Sequence, residues 1–383
     1  MPVRRLAGIP GFSIDRVAAA AGNDPEVLRM ENLDTDLAPP VAAIAATRAA
    51  VGRDDDNSYL PFIGQTALRE AVAQRLTQQT GNGYGVENVV ITAGGTEGMF
   101  DALLATTDPG DEVVLTDPTY AGMTYRVRLA GGIPKLAPFV AHASEWRLDL
   151  DALHAAVNHK TRALFIMNPA MPSSAVLNAE EWQAIANLCQ QHDLWLLYNA
   201  AMERILFDNR PFIHPASLAG MAERTITVGS VSKEFRMIGW RIGWIAGPRT
   251  IMDDLARVHI YNVVTATGIS QAGALAALQA PEESFKSCVA EWQRRRDTVN
   301  EQLHGFPMIS AAGGWSQLVN VKELGHDSFT ASKLLLEKGK IAATPMRDWG
   351  EKNGDQFVRL VFSNEPAERL QTLSERVARV FGS

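Results

Sequence analysis

Residues 230–244, SVSKEFRMIGWRIGW, place Lys233 among small hydroxyl residues, with Arg241 eight positions further on. Burying an ammonium is costly, yet Lys233 follows RTITVG, an apolar run with the pattern of a buried strand. A lysine desolvated at the mouth of a crevice is held neutral and becomes a nucleophile towards aldehydes. The guanidinium of Arg241 and the hydroxyl of Ser230 suit a phosphate beside it. Gly94, Gly95 and Thr96 open a helical pattern, and the free N–H groups and dipole of a helix start favour an anion. An aldehyde for the lysine and a phosphate for the arginine, on one small molecule, describe pyridoxal 5′-phosphate. Each group also has a plainer reading: a snorkelling surface lysine, arginines in structural ion pairs, a glycine turn.

These side chains need a frame. From about residue 60 the chain alternates helical and strand patterns: GQTALREAVAQRL, NVVIT, GTEGMFDALLATT, DEVVLTDPTY, RALFIMNP, NAEEWQAIANLCQQH, DLWLLYNA and RTITVGS. Apolar strands spaced by helices predict a mostly parallel α/β sheet covered on both faces. Ligands of such sheets sit beyond the carboxyl ends of the strands. The polar tails Gly94–Thr96, Asp117–Tyr120, Asn168–Ser174, Asn199–Met202 and Ser230–Lys233 are therefore expected to converge on one crevice. From about 275 the pattern changes to a long helix, short strands such as FVRLVFS, and a closing helix striped by Leu370, Leu373, Val377 and Phe381.

The 383 residues predict two domains: a large one over 41–274, and a smaller one from 1–40 plus 275–383. A net charge of −7 argues against a nucleic-acid footprint, which needs a basic stripe. Cys189 and Cys288 form no disulfide framework, so a cytoplasmic setting is expected. No apolar run is long enough to span a bilayer, and the scattered histidines argue against a metal site.

Over nearly its whole length the sequence resembles the class I/II, fold type I, pyridoxal-phosphate aminotransferases of the aspartate aminotransferase superfamily. The resemblance implies a seven-stranded, mostly parallel sheet sandwiched by helices, a smaller α/β C-terminal domain, and a homodimer with active sites at the interface. It makes Lys233 the Schiff-base lysine, with Ser230, Ser232, Arg241, Gly94, Gly95 and Thr96 on the phosphate. Tyr59, in NSYLPFIGQTALREA, matches the tyrosine that reaches the partner's phosphate. Tyr120 in DPTY matches the residue that stacks on the pyridine ring, and Arg359 in FVRLVFS the arginine that grips the substrate α-carboxylate.

The ring edge departs from the family pattern. The usual Asn-Pro-x-Asn-Pro-Thr-Gly appears as NPAMPSS, so the asparagine that donates to the phenolic oxygen falls on Met171. The usual Asp-Glu-x-Tyr appears as NAAM, turning the aspartate of the pyridine nitrogen into Asn199 and the tyrosine into Met202. A carboxylate stabilises a pyridinium and a neutral amide does not. Asp193, the other candidate partner, precedes its strand and stands at the wrong end. Met171 and Met202, without donors, are expected to pack on the ring edge. Near the N-terminus NLDTDLAPP replaces the family's Gly-Glu-Pro and puts Asp34, Thr35 and Asp36 near the substrate, or in a solvated loop.

The expected function is amino transfer between an α-amino acid and a 2-oxo acid. The alternatives are a racemase, lyase or decarboxylase using the same cofactor, favoured by Asn199, or a cofactor-binding protein with little catalysis.

Overall fold

The structure, a computed structural model, describes residues 3, 6–11 and 13–382. Its main sheet has eight strands, in the spatial order Val89–Thr92, Gly243–Ala246, Thr225–Ser230, Trp195–Asn199, Thr161–Met167, Glu112–Asp117, Ile133–His142 and Glu145–Leu148. The five strands from Thr225–Ser230 to Ile133–His142 are parallel to their neighbours; the pairings at both edges are antiparallel. Seven of these make up the expected sheet, and an eighth is added at one edge. The extra strand is the short Glu145–Leu148, which folds back on its neighbour through a turn at Ala143, where φ is +53°. That turn carries no glycine or proline, so the sequence does not flag it.

The central strands have apolar middles because both of their faces are covered. Every residue of Glu112–Asp117 and Thr225–Ser230 is buried. One face packs the helix Gly95–Thr106, whose Met99 reaches Asn199; Ala179–Gln191 lies on the opposite face, its Trp182 edge-on to Tyr198, with Trp182, Ile185 and Leu188 fully enclosed. The other packs Thr66–Thr80 and Gly268–Leu278 through Leu68, Val72 and Ala274 against Trp244 and Ile91. Helix Ala179–Gln191 starts on a capping box: Asn178 accepts from the N–H of Glu181, and Glu181 accepts from that of Asn178.

Beyond the long helix Glu282–Gln302, Phe357–Val361 pairs antiparallel with Ser316–Asn320 and with Thr344–Pro345. Leu28–Arg29 pairs with Ile341–Ala342, which carries the N-terminal segment to this end of the molecule. The closing helix is two helices, Ala367–Leu370 and Leu373–Phe381, but the expected stripe holds: Leu370, Leu373 and Val377 are buried and Phe381 packs beside them. They join the same apolar cluster as the large sheet, with Trp292 and Trp315 between. Among the described residues no helix is long and apolar enough to cross a membrane, and both cysteines are free.

Candidate active site

Four parallel strands end side by side at Asp117, Met167, Asn199 and Ser230. Beyond those ends lies a cavity of about 200 Å³. Gly95, Thr96, Tyr120, Met171, Asn199, Ser230, Ser232, Lys233, Arg241 and Arg359 line it, together with Ile14, Leu33, Met99 and Ile238. Three cationic side chains face this space, and no carboxylate is among the lining residues. Such a donor set suits a ligand with two anionic ends.

Lys233 follows the buried strand Thr225–Ser230, and its Nζ donates to the carbonyl of Leu33 at 2.5 Å. The ring of Trp315 lies 5.1 Å from the same nitrogen. Burial pulls the Lys233 pKa down to about 8; Asp34 opposes this, while Arg359 and Arg241 add to it. The amine is therefore far closer to its nucleophilic form than a solvated lysine.

At one end of the cavity Arg241, itself in a left-handed conformation with φ +54°, donates to the carbonyl of Ile238 and reaches Ser232 Oγ at 3.5 Å. Its guanidinium lies over the backbone of Gly94. A Cβ on Gly94 would sit 2.6 Å from Arg241 Nη2, and φ +86° there already excludes most side chains. Gly243 has a similar function: a Cβ would meet the amide nitrogen of Gly95 at 2.6 Å. The start of helix Gly95–Thr106 thus stays open to an anion that Arg241 can also reach.

At the other end Arg359 is fully buried on Phe357–Val361. Its Nη2 donates to the Glu31 carbonyl and to Thr344 Oγ1, Nη1 lies 3.4 Å from Met171 Sδ, and Nε has no partner. Burial lowers its pKa to about 10. A buried guanidinium bonded to neutral acceptors calls for an anion. Trp349 stacks under it at 4.8 Å and touches Tyr120 at 5.5 Å between ring centroids. Asp117, read in the sequence only as a strand end, holds that layer: its carboxylate accepts from the N–H groups of Glu351, Lys352 and Asn353. A carboxylate facing a loop 230 residues away has no local sequence signal.

Asn199 is buried at its strand end. Its Oδ1 accepts from the N–H of Ala201, and its Nδ2 faces Met99 Sδ at 3.0 Å. With the oxygen on Ala201 and one amide hydrogen on Met99, the second hydrogen of Nδ2 is left to donate to a ligand. Asp193 is exposed and paired with Arg224, well outside the cavity.

Several expected contacts lie elsewhere. Met202 is buried but does not line the cavity; its methyl packs towards Gly314, 3.5 Å from where a Cβ would stand. Thr35 Oγ1 accepts from Trp292 Nε1, and Asp36 pairs with Arg295 at 2.7 Å, so both hold the N-terminal segment in place. Asp34 is exposed, and its carboxylate accepts from the N–H of Thr35. Tyr59 is 81% exposed, beside a separate notch formed with Thr265–Ile269. The apolar lining from Ile14, Leu33 and Met99 went unread in the sequence, since an apolar residue facing a cavity looks like one facing the core.

The family model for aminotransferase class I and II matches residues 28–377. The chain belongs to that family. It is 32% identical to an aspartate aminotransferase of Pyrococcus abyssi, over 84% of this chain and 83% of the relative. It is 29% identical to an arginine–pyruvate transaminase of Pseudomonas aeruginosa, over 95% of this chain and 93% of the relative. Among solved structures, N-succinyldiaminopimelate aminotransferase from Mycobacterium tuberculosis superposes with a TM-score of 0.91 at 29% identity, covering 99% of each chain. The protein is thus a pyridoxal-phosphate-dependent aminotransferase of fold type I, acting on amino acid and 2-oxo acid substrates. These relatives do not favour the racemase, lyase or decarboxylase alternatives.

Proposed function

We propose that this aminotransferase works through Lys233, with the phosphate of the cofactor on Gly95, Thr96, Ser230, Ser232 and Arg241 and the substrate carboxylate on Arg359. The observation that carries the reading is the lining of the cavity: an amine between two guanidinium groups, with no carboxylate to neutralise them. The residues present fit the cofactor, because the phosphate donors, the amine and the ring-facing Tyr120 share one space.

Pyridoxal phosphate supplies an aldehyde that takes up the amino group, and a ring that accepts the electron pair left when the Cα proton departs. The chain supplies the rest. Lys233 binds as a neutral amine, since burial makes the ammonium costly there. With the substrate amine in its place on the cofactor, Lys233 Nζ would serve as the base for the substrate Cα proton. Arg359 orients the substrate by a charge-assisted bond, worth ~1.5–3 kcal/mol. Tyr120, braced by Trp349, would cover one face of the ring. Asn199 Nδ2 would donate a neutral hydrogen bond to the ring nitrogen, and without a carboxylate there the ring would be a weaker electron sink. Met171, beside Arg359 and without a donor, would pack at the ring edge.

The working unit we infer is a homodimer in which Tyr59, exposed on its own protomer, serves the partner's phosphate. Two free thiols fit a cytoplasmic setting.

The test is a spectral titration of the cofactor-loaded protein with a panel of L-amino acids in the absence of 2-oxo acid. The reading expects the cofactor's aldehyde to be converted to its amine, and Lys233→Ala to abolish that conversion. Unchanged spectra with every amino acid would overturn it.

A further inference from the structure

A second buried polar cluster lies behind the phosphate turn, outside the cavity. His259, on helix Arg249–Val263, is fully buried. Its Nε2 lies 2.9 Å from the carbonyl oxygen of Phe62, and its Nδ1 lies 2.6 Å from Glu97 Oε1. A carbonyl only accepts, so Nε2 carries a hydrogen and donates it. Nδ1 therefore shares a proton with Glu97. Glu97 stands one residue after Thr96, and its other oxygen accepts from the N–H of Ala93, inside the glycine turn. Asp101, one helical turn on, accepts from Asn262 Nδ2 at 2.9 Å and keeps its Oδ2 unpartnered, 3.9 Å from His259 Nδ1.

Glu97, Asp101 and His259 could be taken for a metal site. The distances argue otherwise. Two ligands of one tetrahedral zinc, each at ~2.0–2.1 Å, lie about 3.3 Å apart. A separation of 2.6 Å is that of a charge-assisted hydrogen bond with the proton between the partners. Burial, and then Glu97, push the Asp101 carboxyl up to about 8.

The elements joined here are what give the cluster a function. Phe62 packs edge-on against Tyr59 at 6.4 Å. Two residues on, Gly64 has φ +99°, and a Cβ there would lie 2.3 Å from Ile91 Cγ1, so the segment has little freedom beyond that point. His259 thus grips the Tyr59 segment by its backbone and the phosphate turn by Glu97.

We propose that His259 is a positioning residue that ties the Tyr59–Phe62 segment, serving the partner's phosphate, to the Ala93–Glu97 turn, serving this protomer's own phosphate. The inference rests on the phosphate assignments above. It makes cofactor retention in the two sites of a dimer depend on one buried pair.

The test is a double-mutant cycle on the holoenzyme, read as the dissociation constant of pyridoxal phosphate by absorbance. Tyr59→Phe and His259→Gln are each expected to weaken binding about tenfold, and the double variant hardly more than the weaker single one. Losses that multiply to about a hundredfold would overturn the coupling. A His259→Gln protein with a lower melting temperature but unaltered cofactor affinity would mark the residue as structural only. If Tyr59→Phe weakens binding and His259→Gln does not, this proposal alone fails. If Tyr59→Phe has no effect, the phosphate assignment of Tyr59 falls and this proposal with it. Should His259→Gln fail to fold, Glu97→Gln runs the same cycle. A stoichiometric divalent metal in the purified protein would also overturn it.

Discussion

Lys233 Nζ donates to the carbonyl oxygen of Leu33 at 2.5 Å. The amine that is proposed to capture the cofactor is thereby tied to the N-terminal segment, which Leu28–Arg29, Thr35 and Asp36 fasten to the far end of the chain. Cofactor capture has to break that bond, and in exchange the buried ammonium loses its charge.

The first prediction is a pH dependence. The folded-state pKa of Lys233, about 8, lies below the ordinary lysine value of 10.5. The neutral amine is therefore scarce below pH 8 and predominates above it. The rate at which cofactor-free protein captures pyridoxal phosphate should rise with pH and level off above about 8. Stopped-flow absorbance checks this; a rate still climbing tenfold per pH unit at pH 9 would place the lysine in solvent. The sign for stability follows from the same shift. Between about 8 and 10.5 the unfolded chain binds the extra proton, so this group contributes rising stability with pH across that window.

The second concerns Asn199. A carboxylate there would favour the protonated ring, and each unit of nitrogen pKa is worth about 1.4 kcal/mol. Asn199→Asp should speed the conversion of cofactor by a good amino acid at least about tenfold, with little change in cofactor affinity. Single-turnover kinetics read it out. An equal or slower rate would mean that the protein does not depend on ring protonation.

The third concerns Arg359. Replacing its fork by a point charge in Arg359→Lys removes the paired geometry. KM for the amino acid should rise by about one to two orders of magnitude, the equivalent of ~1.5–3 kcal/mol. Cofactor affinity should stay as it is, because the proposed phosphate site is at the other end of the cavity. An unchanged KM would detach Arg359 from the substrate.

The fourth is a stability prediction. Glu234, the residue after Lys233, accepts from Arg75 Nη2 at 2.5 Å, and Glu203 lies 3.8 Å from the same nitrogen. Both carboxylates are buried, with Arg204 4.0 Å from Glu234. Arg75→Met should cost ~3 kcal/mol, because it strands buried charge. Denaturant unfolding of the loaded and cofactor-free forms measures it, and a loss below about 0.5 kcal/mol would show the network to be solvent-relaxed.

The sequence showed most of the large sheet and much of the cavity, for a physical reason. Parallel strands are buried on both faces and therefore appear as continuous apolar runs, and their polar tails mark one edge. Lys233 and Asn199 were legible because a charged or amide group at the end of an apolar run is conspicuous, Arg241 by its spacing from Lys233, and Arg359 through the family resemblance. The edge hairpin Ile133–Leu148 was not, since a half-exposed strand with a glycine-free turn has no such contrast. Met202 was expected at the ring edge because it takes the place of the family's tyrosine, but the turn from Ala200 to Glu203 buries it against Gly314. The long-range partners, Asp117 with its loop and His259 with Phe62, depend on packing that no local pattern encodes.

The most direct test of the account is to reduce the cofactor-loaded protein with borohydride and map the modified peptide by mass spectrometry. The account predicts pyridoxyl phosphate carried on Lys233 and absent from the Lys233→Ala protein. The modification on another lysine, or on none, would contradict it.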